Sequence, residues 1–493
     1  MDLDIDACYR AFRTRDPRFD GRLFSGVRTT GIYCRPICPA RTPKRENMLF
    51  FPTAAAAQDA GFRPCLRCRP ETAPDLAAWR GTSNTVSRAL GLIEAGALDE
   101  RGVGCLADRL GVGERQLRRL FQKHLGASPV AVAQTRRVLL ALQLVHETHL
   151  PMTDVALAAG FTSIRRFNEV FQRLFRRPPG ALRRVGKTVP EVLPTGEVIV
   201  LLRYRLPYDW HGMLAFLHAR AIAGVEAVSG HRYARTIEID GRHGLVVVES
   251  AAGQALKATI RFPRLAELPR IIARLRRVFD LAADPQAIGA QLAEDALLAP
   301  LVAIRPGLRV PGAWDGFELA VRALLGQHIT VKAAVRLATT LVEEYGEPLS
   351  VPNPAIAGLT HVFPCAERLA SADLTRLEMP VKRIQALKTL AAAVTSDPQL
   401  FGPGAEPMAC TKRLRAMAGI GEWTAQYIAM RELREPDAFP ADDIALKRAL
   451  AEREGRWLTS REVIARAERW RPWRAYAAQH LWAAMTDPRP QHR

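Results

Sequence analysis

Two pairs of cysteines near the amino end of the chain have the residue type and spacing of a metal site. Cys34 and Cys38 are separated by three residues, and Cys65 and Cys68 by two. Each pair can chelate from a single turn, and four sulfur ligands suit a tetrahedral Zn²⁺. A zinc-bound cysteine is held as a thiolate, the reactive form of this side chain. The quartet therefore predicts either a structural zinc knuckle or a zinc-activated nucleophile.

A second candidate for chemistry lies near the carboxyl end, where Asp442 and Asp443 follow the segment Gly419-Ile420-Gly421 by about 20 residues. Glycines at 419 and 421 allow backbone N–H groups to approach a phosphate at a helix start, although many helix-helix turns use glycine for packing alone. An aspartate that begins a helix also has an ordinary capping role. We assign that role mainly to Asp442, which leaves Asp443 as the candidate for chemistry.

The composition of the whole chain indicates several globular modules that act on a polyanion. A length of 493 residues exceeds one ordinary core, so we expect three or four domains. Lys and Arg number 70 against 50 Asp and Glu, a formal net charge of +20. Nucleic acid is the first partner that such a balance suggests, and a membrane surface the second. No stretch approaches the roughly 20 apolar residues of a membrane span, and the acidic start is no secretory signal, so we expect a cytoplasmic protein.

An internal repeat in the basic, helical region predicts two helix-turn-helix units. Segment 106–126 returns as 155–176, and in each copy an apolar helix ends at a glycine, Gly111 or Gly160. Glycine permits the tight turn, and one long helix over 129–146 joins the copies. A solvated basic face is the alternative to DNA contact. The second helix of each unit carries outward-facing polar residues, among them Arg115, Arg118, Arg119, Arg165 and Arg166.

The second half of the chain reads as a small sheet followed by helices. Pro190, Pro194 and Gly196 mark a linker, after which alternating residues and a hairpin turning at Asp240-Gly241 predict an antiparallel sheet with helical cover. Beyond Leu265 the pattern is nearly all helical. The predicted fold class is therefore multidomain and mainly α with α+β parts: a small four-cysteine zinc domain, an all-α double helix-turn-helix domain, an antiparallel-sheet lobe and an all-α helix-hairpin-helix domain.

The segments around the cysteines, TGIYCRPICPARTPKRENMLFF and FRPCLRCRP, closely resemble the amino-terminal domain of the Ada methylation-response family over most of residues 5–75. The resemblance implies one zinc ion bound by all four cysteines, with Cys34 accepting a methyl group from an alkylated DNA phosphate. Methylation removes one negative charge, so affinity for DNA should rise. The transfer is stoichiometric, because nothing in the sequence regenerates the thiolate.

The stretch AAGF…FNEVFQRLFRRPPGALR resembles the AraC-type regulators. This resemblance implies sequence-specific contacts from the two second helices in successive major grooves, with arginines on the phosphates. Together with the Ada resemblance, it predicts a transcriptional activator, with RNA polymerase as a candidate partner.

From YDWHGMLAFLHARAIAGVE onward, the chain resembles AlkA-type 3-methyladenine DNA glycosylases over about 290 residues, and GFELAVRALLGQHITVKAA, GIGEWTAQYIAMR and FPADDIALKRAL follow in the family's order. The resemblance implies that Asp443 is the catalytic carboxylate, which stabilises an oxocarbenium-like sugar or orients water. It also implies that Gly419 and Gly421 hold a DNA phosphate. His328 occupies the DNA-wedge position, where the family typically has leucine or glutamine.

The same resemblance implies a base pocket and a reaction type. Members that also cleave the strand carry a lysine just after the hairpin glycines; Trp423 stands there, so we expect a monofunctional enzyme. Electron-rich rings attract a positively charged alkylated base, although core packing is the ordinary alternative for any of them. Arg220 also aligns with the pocket region. The expected pocket residues are Trp423, Tyr427, Trp482 and Phe216.

The combined prediction is a fusion of an alkylation-sensing activator with a glycosylase of the DNA-3-methyladenine glycosylase II type, for which no cofactor is expected. The partner is double-stranded DNA and not a membrane, in a monomer located in the bacterial cytoplasm and nucleoid. The alternative is a DNA-binding regulator with an inert glycosylase half. The predicted domains are 1–80 (zinc, methyl acceptor), 81–188 (double helix-turn-helix), 195–300 (α+β lobe) and 301–490 (helix-hairpin-helix glycosylase).

Overall fold

The computed structural model describes residues 4–16, 19–73, 84–99, 101–148, 150–183, 197–349, 358–402 and 405–486. The predicted linker residues Pro190, Pro194 and Gly196 lie outside these ranges. The chain divides into two compact units, one formed by 1–204 with 257–273 and the other by 205–256 with 274–493. None of the helices in the described ranges combines the length and apolarity that a membrane span requires.

The first unit begins with a four-stranded sheet in the order β3-β1-β2-β4, in which β1 pairs antiparallel with β2 and β3, and β4 pairs parallel with β2. Helix α1 packs Cys8, Ala11 and Phe12 on one face together with Met48. Its elements are α1 (Ile5–Arg13), β1 (Phe24–Val27), β2 (Ile32–Cys34), β3 (Met48–Phe51), α2 (Ala54–Asp59) and β4 (Arg63–Pro64).

The same unit continues with the helices that the repeat predicts. Gly111 and Gly160 adopt left-handed backbone angles (φ +68° and +85°) at the two turns, which explains the glycine in both copies. Phe167 and Phe171, one turn apart, are fully buried on the last helix. The elements are α3 (Asn84–Glu94), α4 (Val103–Arg109), α5 (Glu114–Leu125), α6 (Pro129–Glu147), α7 (Met152–Ala158), α8 (Ile164–Phe175) and the strand β5 (Glu197–Arg203).

Direct contacts join the cysteine-containing sheet to the helices of the first unit. Thr53 Oγ1 donates to the carbonyl of Leu125 at 2.8 Å. Arg69 pairs with Glu147 on α6 at 3.2 Å, and Glu71 contacts His146 of the same helix at 3.0 Å. The glutamates and the histidine are buried, so these contacts fix the segment that follows Cys68 against α6.

The second unit contains an antiparallel meander in which β7 pairs with β6 and with β8. Asp240 and Gly241 both have positive φ (+50° and +71°), the geometry of the tight hairpin turn that the sequence predicts. The division between the units passes through β9 and α10. The elements of this region are α9 (Trp210–His218), β6 (Glu226–Ser229), β7 (Arg232–Ile239), β8 (Arg242–Ala251), β9 (Ala255–Arg261) and α10 (Leu268–Val278).

The rest of the second unit is almost entirely helical, as the sequence predicts, and an extended apolar core lies among α13, α14, α16 and α18. The fold class predicted from the sequence is confirmed. The elements are α11 (Pro285–Leu292), α12 (Ala299–Ile304), α13 (Gly316–Leu325), α14 (Val331–Tyr345), β10 (Glu347–Pro348), β11 (His361–Val362), α15 (Ala366–Ser371), α16 (Val381–Ser396), α17 (Pro407–Arg415), α18 (Glu422–Arg431), α19 (Ile444–Glu454), α20 (Ser460–Ala467) and α21 (Arg474–Thr486).

Candidate active site and metal centre

Asp443 is held by three hydrogen-bond donors from three different helices. Its Oδ2 accepts from Trp423 Nε1 at 2.8 Å, and its Oδ1 accepts from Trp482 Nε1 at 2.9 Å. Oδ1 also accepts from the backbone N–H of Leu446 at 2.9 Å, because Asp443 is the N-cap of α19. The carboxylate is therefore fixed in position at the positive end of a helix.

The assignment of helix capping to Asp442 is wrong. α19 begins one residue later than that assignment requires, so Asp443 itself caps the helix while carrying the two indole contacts. Asp442 instead accepts from Ser460 Oγ and pairs with Lys447 Nζ at 3.3 Å. These two contacts lower the pKa of Asp442, with the Ser460 hydrogen bond contributing most. The aspartate that caps α19 is thus the same one that the sequence marks as the candidate for chemistry.

The predicted aromatic residues converge beside Asp443 and line a cavity of about 1530 Å³. Trp423 and Tyr427, one turn apart on α18, stack with ring centroids 5.2 Å apart and planes 12° from parallel. Trp482 meets the Tyr427 ring edge-on at 6.3 Å. The three rings form one aromatic wall beside the carboxylate of Asp443.

Phe216 also lines this cavity, but its ring is already in contact with two cations. The guanidinium carbon of Arg220 lies 3.9 Å from the ring centroid, and that of Arg431 lies 4.6 Å from it. Arg431 also donates to the Tyr427 hydroxyl and, through Nε, to the carbonyl of Pro311 at 2.8 Å. Burial raises the pKa of Tyr427, yet Arg431 and Arg220 outweigh burial and lower that pKa below its ordinary value. The sequence interpretation missed Arg431, which no motif distinguishes from the other arginines.

Two further arginines around the cavity are paired with buried glutamates. Arg235 contacts Glu318 at 2.7 Å and Arg322 contacts Glu226 at 2.5 Å. Burial raises the pKa of Glu318, but Arg235 and Arg322 lower it further than burial raises it, to about 2. These carboxylates are thus neutralised by their own partners and do not offer charge to a ligand.

The hairpin glycines serve two different purposes. Gly419 has φ +88°, and a Cβ on it would meet the Cβ of Ala386 at 2.5 Å, so both backbone conformation and packing exclude a side chain. Gly421 is the N-cap of α18, and a Cβ there would meet nothing within 4 Å. Gly421 thus leaves open space at a helix start, where backbone N–H groups can receive an anion.

His328 lies exposed in the turn between α13 and α14, with φ +59°, and lines the same cavity. The preceding residue, Gln327, ties this turn to the hairpin: its Nε2 donates to the carbonyl of Gly419 at 3.0 Å and to Thr424 Oγ1 at 2.9 Å. Arg383 in turn donates to the Gln327 carbonyl at 2.8 Å. The sequence interpretation did not single out Gln327, because only the fold brings its turn beside the hairpin.

The four predicted metal ligands come together in the first unit. Their sulfur atoms lie within 4.8 Å of one another, close to the separation of about 3.8 Å in a tetrahedral zinc site with Zn–S bonds of about 2.3 Å. Hydrogen bonding among the thiols lowers the pKa of Cys38 to about 7 and raises that of Cys34, since adjacent sulfurs cannot all ionise without a cation. The donor set therefore fits zinc.

Cys34 differs from the other three cysteines in exposure, being partly accessible where Cys38, Cys65 and Cys68 are buried. The residue after it, Arg35, donates its backbone N–H to Cys68 Sγ at 3.4 Å. The Arg35 side chain is buried, pairs with Asp20 and donates to the carbonyl of Cys68 at 3.0 Å. Cys34 is thus the member of the cluster whose residue surface is partly accessible, and Arg35 holds Cys68 from within.

The candidate DNA-reading arginines are exposed on α5 and α8. Arg118 pairs with Glu114 at 2.6 Å, and Arg165 pairs with Glu169 at 2.9 Å, each within one helix. Such surface ion pairs are weak, so each arginine can exchange its glutamate partner for a phosphate oxygen of DNA. The exposed residues of this group are Arg115, Arg118, Arg119, Arg165 and Arg166.

Four family models match successive parts of the chain. They are described as the metal binding domain of Ada (residues 7–71), a helix-turn-helix domain (106–185), the AlkA N-terminal domain (199–315) and the HhH-GPD superfamily of base excision DNA repair proteins (321–475). Their order is the order of modules that the sequence predicts. The chain thus contains a zinc-binding domain of the Ada type and a glycosylase domain of the AlkA type.

Individual relatives agree with these models. The "DNA-3-methyladenine glycosylase 2" of Escherichia coli is 37% identical over 286 residues, which cover 57% of this chain and 95% of that protein. The solved 3-methyladenine DNA-glycosylase of Archaeoglobus fulgidus, at 20% identity and a TM-score of 0.51, covers 57% of this chain and 96% of that one and bears on the fold alone. A Mycobacterium tuberculosis protein named "Probable bifunctional transcriptional activator/DNA repair enzyme AlkA" is 40% identical over 490 residues, 99% of this chain and 98% of its own length. The chain therefore belongs to this family of bifunctional transcriptional activator/DNA repair enzymes.

Proposed function

We propose that the chain repairs alkylated DNA by two separate reactions: hydrolytic release of alkylated bases of the 3-methyladenine type, and acceptance of methyl groups from DNA methylphosphotriesters on Cys34. The observation that carries the first reaction is the fixed carboxylate of Asp443 beside an aromatic wall. The proposed domains are 1–80, 81–188, 195–300 and 301–490. The protein acts as a monomer on double-stranded DNA in the bacterial cytoplasm and nucleoid.

In the excision reaction, Asp443 stabilises the positive charge that develops on the sugar as the N-glycosidic bond breaks. A carboxylate has about four lone-pair sites, and three of those on Asp443 already accept hydrogen bonds. This arrangement favours electrostatic stabilisation by a fixed carboxylate over general-base catalysis, for which the carboxylate would have to reorient and accept a proton. Water then adds to the sugar and leaves an abasic site. Trp423, Tyr427 and Trp482 stack with the flipped base.

The reaction ends at the abasic site. Strand cleavage needs an amine nucleophile, and Trp423, whose indole is committed to Asp443, stands at the position after the hairpin glycines where an amine would be required. The open space at Gly421 receives a phosphate of the damaged strand, and His328 enters the duplex from the neighbouring turn.

In the methyl-transfer reaction, the Sγ of Cys34 attacks the methyl carbon of the phosphotriester. A sulfur–carbon bond forms as the carbon–oxygen bond breaks, and the electron pair of that bond stays on the phosphate oxygen, restoring a diester. One zinc ion, when bound, keeps the four sulfurs as thiolates. The partial exposure of Cys34 beside three buried cysteines supports its choice as acceptor.

Methylation turns the Cys34 thiolate into a neutral thioether and so removes one negative charge facing the DNA. Weaker repulsion of phosphates then strengthens promoter binding by α5 and α8, through Arg115, Arg118 and Arg119 on one helix and Arg165 and Arg166 on the other. The bound activator then recruits RNA polymerase.

Two assays on the full chain test these proposals. Duplex DNA containing 3-methyladenine should yield free base and intact strands carrying abasic sites; no released base would refute the excision proposal, and strand cleavage would refute its monofunctional form. DNA carrying methylphosphotriesters should add one methyl group to the protein at Cys34, seen by peptide mass spectrometry, and should raise promoter affinity. An unmodified Cys34 with unchanged affinity would refute the sensing proposal.

A further inference from the structure

The proposed methylation signal requires the cysteine cluster to stay beside the promoter while α5 and α8 are bound to it. Methylation changes one unit charge, and salt screens an exposed charge beyond about 8 Å at physiological ionic strength. A cluster on a loose tether would therefore add little to promoter binding. The signal thus depends on how firmly the cysteine-containing sheet is held against the helix-turn-helix units.

The first point of attachment lies between α2, which follows β3 of the sheet, and the end of α5. Ala56 of α2 is buried in one apolar cluster with Ala127, just beyond α5. A Cβ on Gly126 would meet the Cβ of Ala56 at 3.2 Å, so glycine allows α2 to approach the end of α5 closely. Thr53, the N-cap of α2, donates to the carbonyl of Leu125, the last residue of α5, at 2.8 Å. The sheet is thus joined directly to a helix proposed to read the promoter.

The second point of attachment is a buried ion-pair network between the segment after Cys68 and the last turn of α6. Arg69 pairs with Glu71 at 2.8 Å and with Glu147 at 3.2 Å, and Glu71 contacts His146 at 3.0 Å. The side chains of Glu71 and His146 are each 2% exposed, and that of Glu147 is 8% exposed. Removal of one partner from a buried ion pair leaves an uncompensated charge and is strongly destabilising. Arg69 therefore holds its segment firmly on α6.

Arg35 connects this network to the cysteine cluster. Its backbone N–H donates to Cys68 Sγ at 3.4 Å, and its Nη1 donates to the carbonyl of Arg69 at 3.3 Å. Helix α6 in turn lies between the two helix-turn-helix units in the chain. A continuous series of contacts thus runs from a sulfur of the cluster, through Arg35 and Arg69, to Glu147 on the helix that joins these units.

We propose that a sensor interface, formed by α2, Arg69 and Glu71 with the ends of α5 and α6, converts methylation of Cys34 into stronger promoter binding by holding the cysteine cluster beside the bound DNA. The inference rests on the proposed sensing function and deepens it. Removal of charge at Cys34 supplies the change in affinity, and the sensor interface makes binding by α5 and α8 subject to that change. A chain with a broken interface still accepts the methyl group, but it gains little affinity from it.

Two variants break the same ion pair from opposite sides. Arg69→Met breaks it beside the cysteines, and Glu147→Gln breaks it from α6, far in sequence from the metal ligands. Arg67→Met is the matched control, because it removes the same charge from an exposed side chain in the same segment. Promoter affinity is measured for the full-length, zinc-loaded chain and each variant, before and after reaction with methylphosphotriester DNA. Mass spectrometry checks methylation of Cys34, and hydrogen exchange of the peptides that cover the network measures how firmly the interface holds.

The unaltered chain and Arg67→Met should gain about tenfold in promoter affinity on methylation, the size expected for one unit charge close to a phosphate. In Arg69→Met and in Glu147→Gln the gain should shrink to less than about twofold, because salt screens a loosened cluster from the bound DNA. Hydrogen exchange across the network should be faster in both variants, and all four proteins should accept one methyl group on Cys34. The two changes together should lose no more of the gain than either change alone, since each breaks the same ion pair.

The other outcomes overturn the proposal. Faster exchange with the full gain retained would mean that the signal does not need the interface. Loss of the gain without faster exchange, or an equal loss in Arg67→Met, would mean that these residues act through their charge and not by holding the cluster. If the unaltered chain accepted no methyl group on Cys34, or accepted one without any gain in affinity, the sensing function itself would fail, and the proposal with it.

Discussion

The two proposed reaction sites, the cysteine cluster and the cavity around Asp443, support their reacting groups in different ways. Cys34 is partly exposed, and it lies among the other three sulfurs and against the apolar side chains of the α1 cluster. The carboxylate of Asp443 accepts hydrogen bonds from two indole N–H groups and from a backbone N–H at the N-terminus of α19. An incoming atom can therefore reach the first group more easily, whereas the second group is held in one position by its donors.

This difference fits two kinds of chemistry. A nucleophile that reacts only once must be accessible and reactive. Because methylation removes its negative charge irreversibly, the modified group can also act as a signal. A carboxylate that serves every turnover needs an unchanging position and charge, which preorganised donors supply. If the comparison holds, damage to one site should leave the other reaction intact.

The largest expected effect is complete loss of methyl acceptance in Cys34→Ser. A serine hydroxyl is not held as an anion as a zinc-bound thiolate is, so no methyl group should transfer from phosphotriester DNA. Intact-protein mass spectrometry checks this, with Cys365→Ser, at an exposed cysteine outside the cluster, as the control that still gains one methyl group. Release of 3-methyladenine should be unchanged. A methyl group on Cys38, Cys65 or Cys68 in the variant would break the comparison.

Asp443→Asn should lower base release by about 10³-fold, the size expected when a preorganised electrostatic group is removed. Asp442→Asn is the matched control, because its carboxylate contacts Ser460 and Lys447 and not the indoles. We expect a loss below about tenfold for that control. Single-turnover rates on 3-methyladenine DNA measure both. Equal losses in the two variants would show that the geometry around Asp443 has no special role.

A third expected effect concerns acid stability of the second unit. His480 is 5% exposed, and burial lowers its pKa to about 4 from an ordinary 6.5. Between these values the unfolded chain takes up a proton that the folded chain refuses, so stability is full above about pH 6.5 and falls as pH drops toward 4. The free energy of unfolding should fall by about 2 kcal/mol between pH 7 and pH 5 from this group.

Urea unfolding followed by tryptophan fluorescence checks this value, since all tryptophans except Trp79 lie beyond residue 205. In His480→Gln the pH dependence should shrink by the same amount. If the free energy of unfolding of this variant still fell by the full amount between pH 7 and pH 5, groups other than His480 would be responsible for the acid sensitivity.

Local sequence pattern was sufficient for the features that one segment determines by itself. The cysteine spacing and the repeated helix-turn-helix pattern each depend on residues close in sequence, and both recur in the structure. The distinction between Asp442 and Asp443 was not predictable, because it depends on the residue at which α19 begins. Two neighbouring aspartates offer equivalent caps until the indoles of distant helices select one.

Contacts between residues that are distant in sequence could also not be predicted from the sequence. Phe216 was predictable as a pocket residue, but Arg431 covers its ring only because α9 and α18 meet there. Gln327 likewise gains its importance from a hairpin more than 90 residues away, which its amide reaches through Gly419 and Thr424.

Gln327→Ala is expected to have the smallest effect. It tests whether base release depends on the hydrogen bonds that join the α13–α14 turn, which carries His328, to the hairpin at Gly419–Gly421. The change removes two side-chain hydrogen bonds worth about 1 kcal/mol each, so the rate of base release should fall by about 30-fold at most. Gln385→Ala, on the exposed face of α16, is the control and should keep the full rate. Methyl acceptance by Cys34 should be unaffected in both. A Gln327→Ala rate equal to that of the control would mean that His328 and the hairpin reach the DNA independently, and that the fixed geometry of the excision site is confined to Asp443 and its three donors.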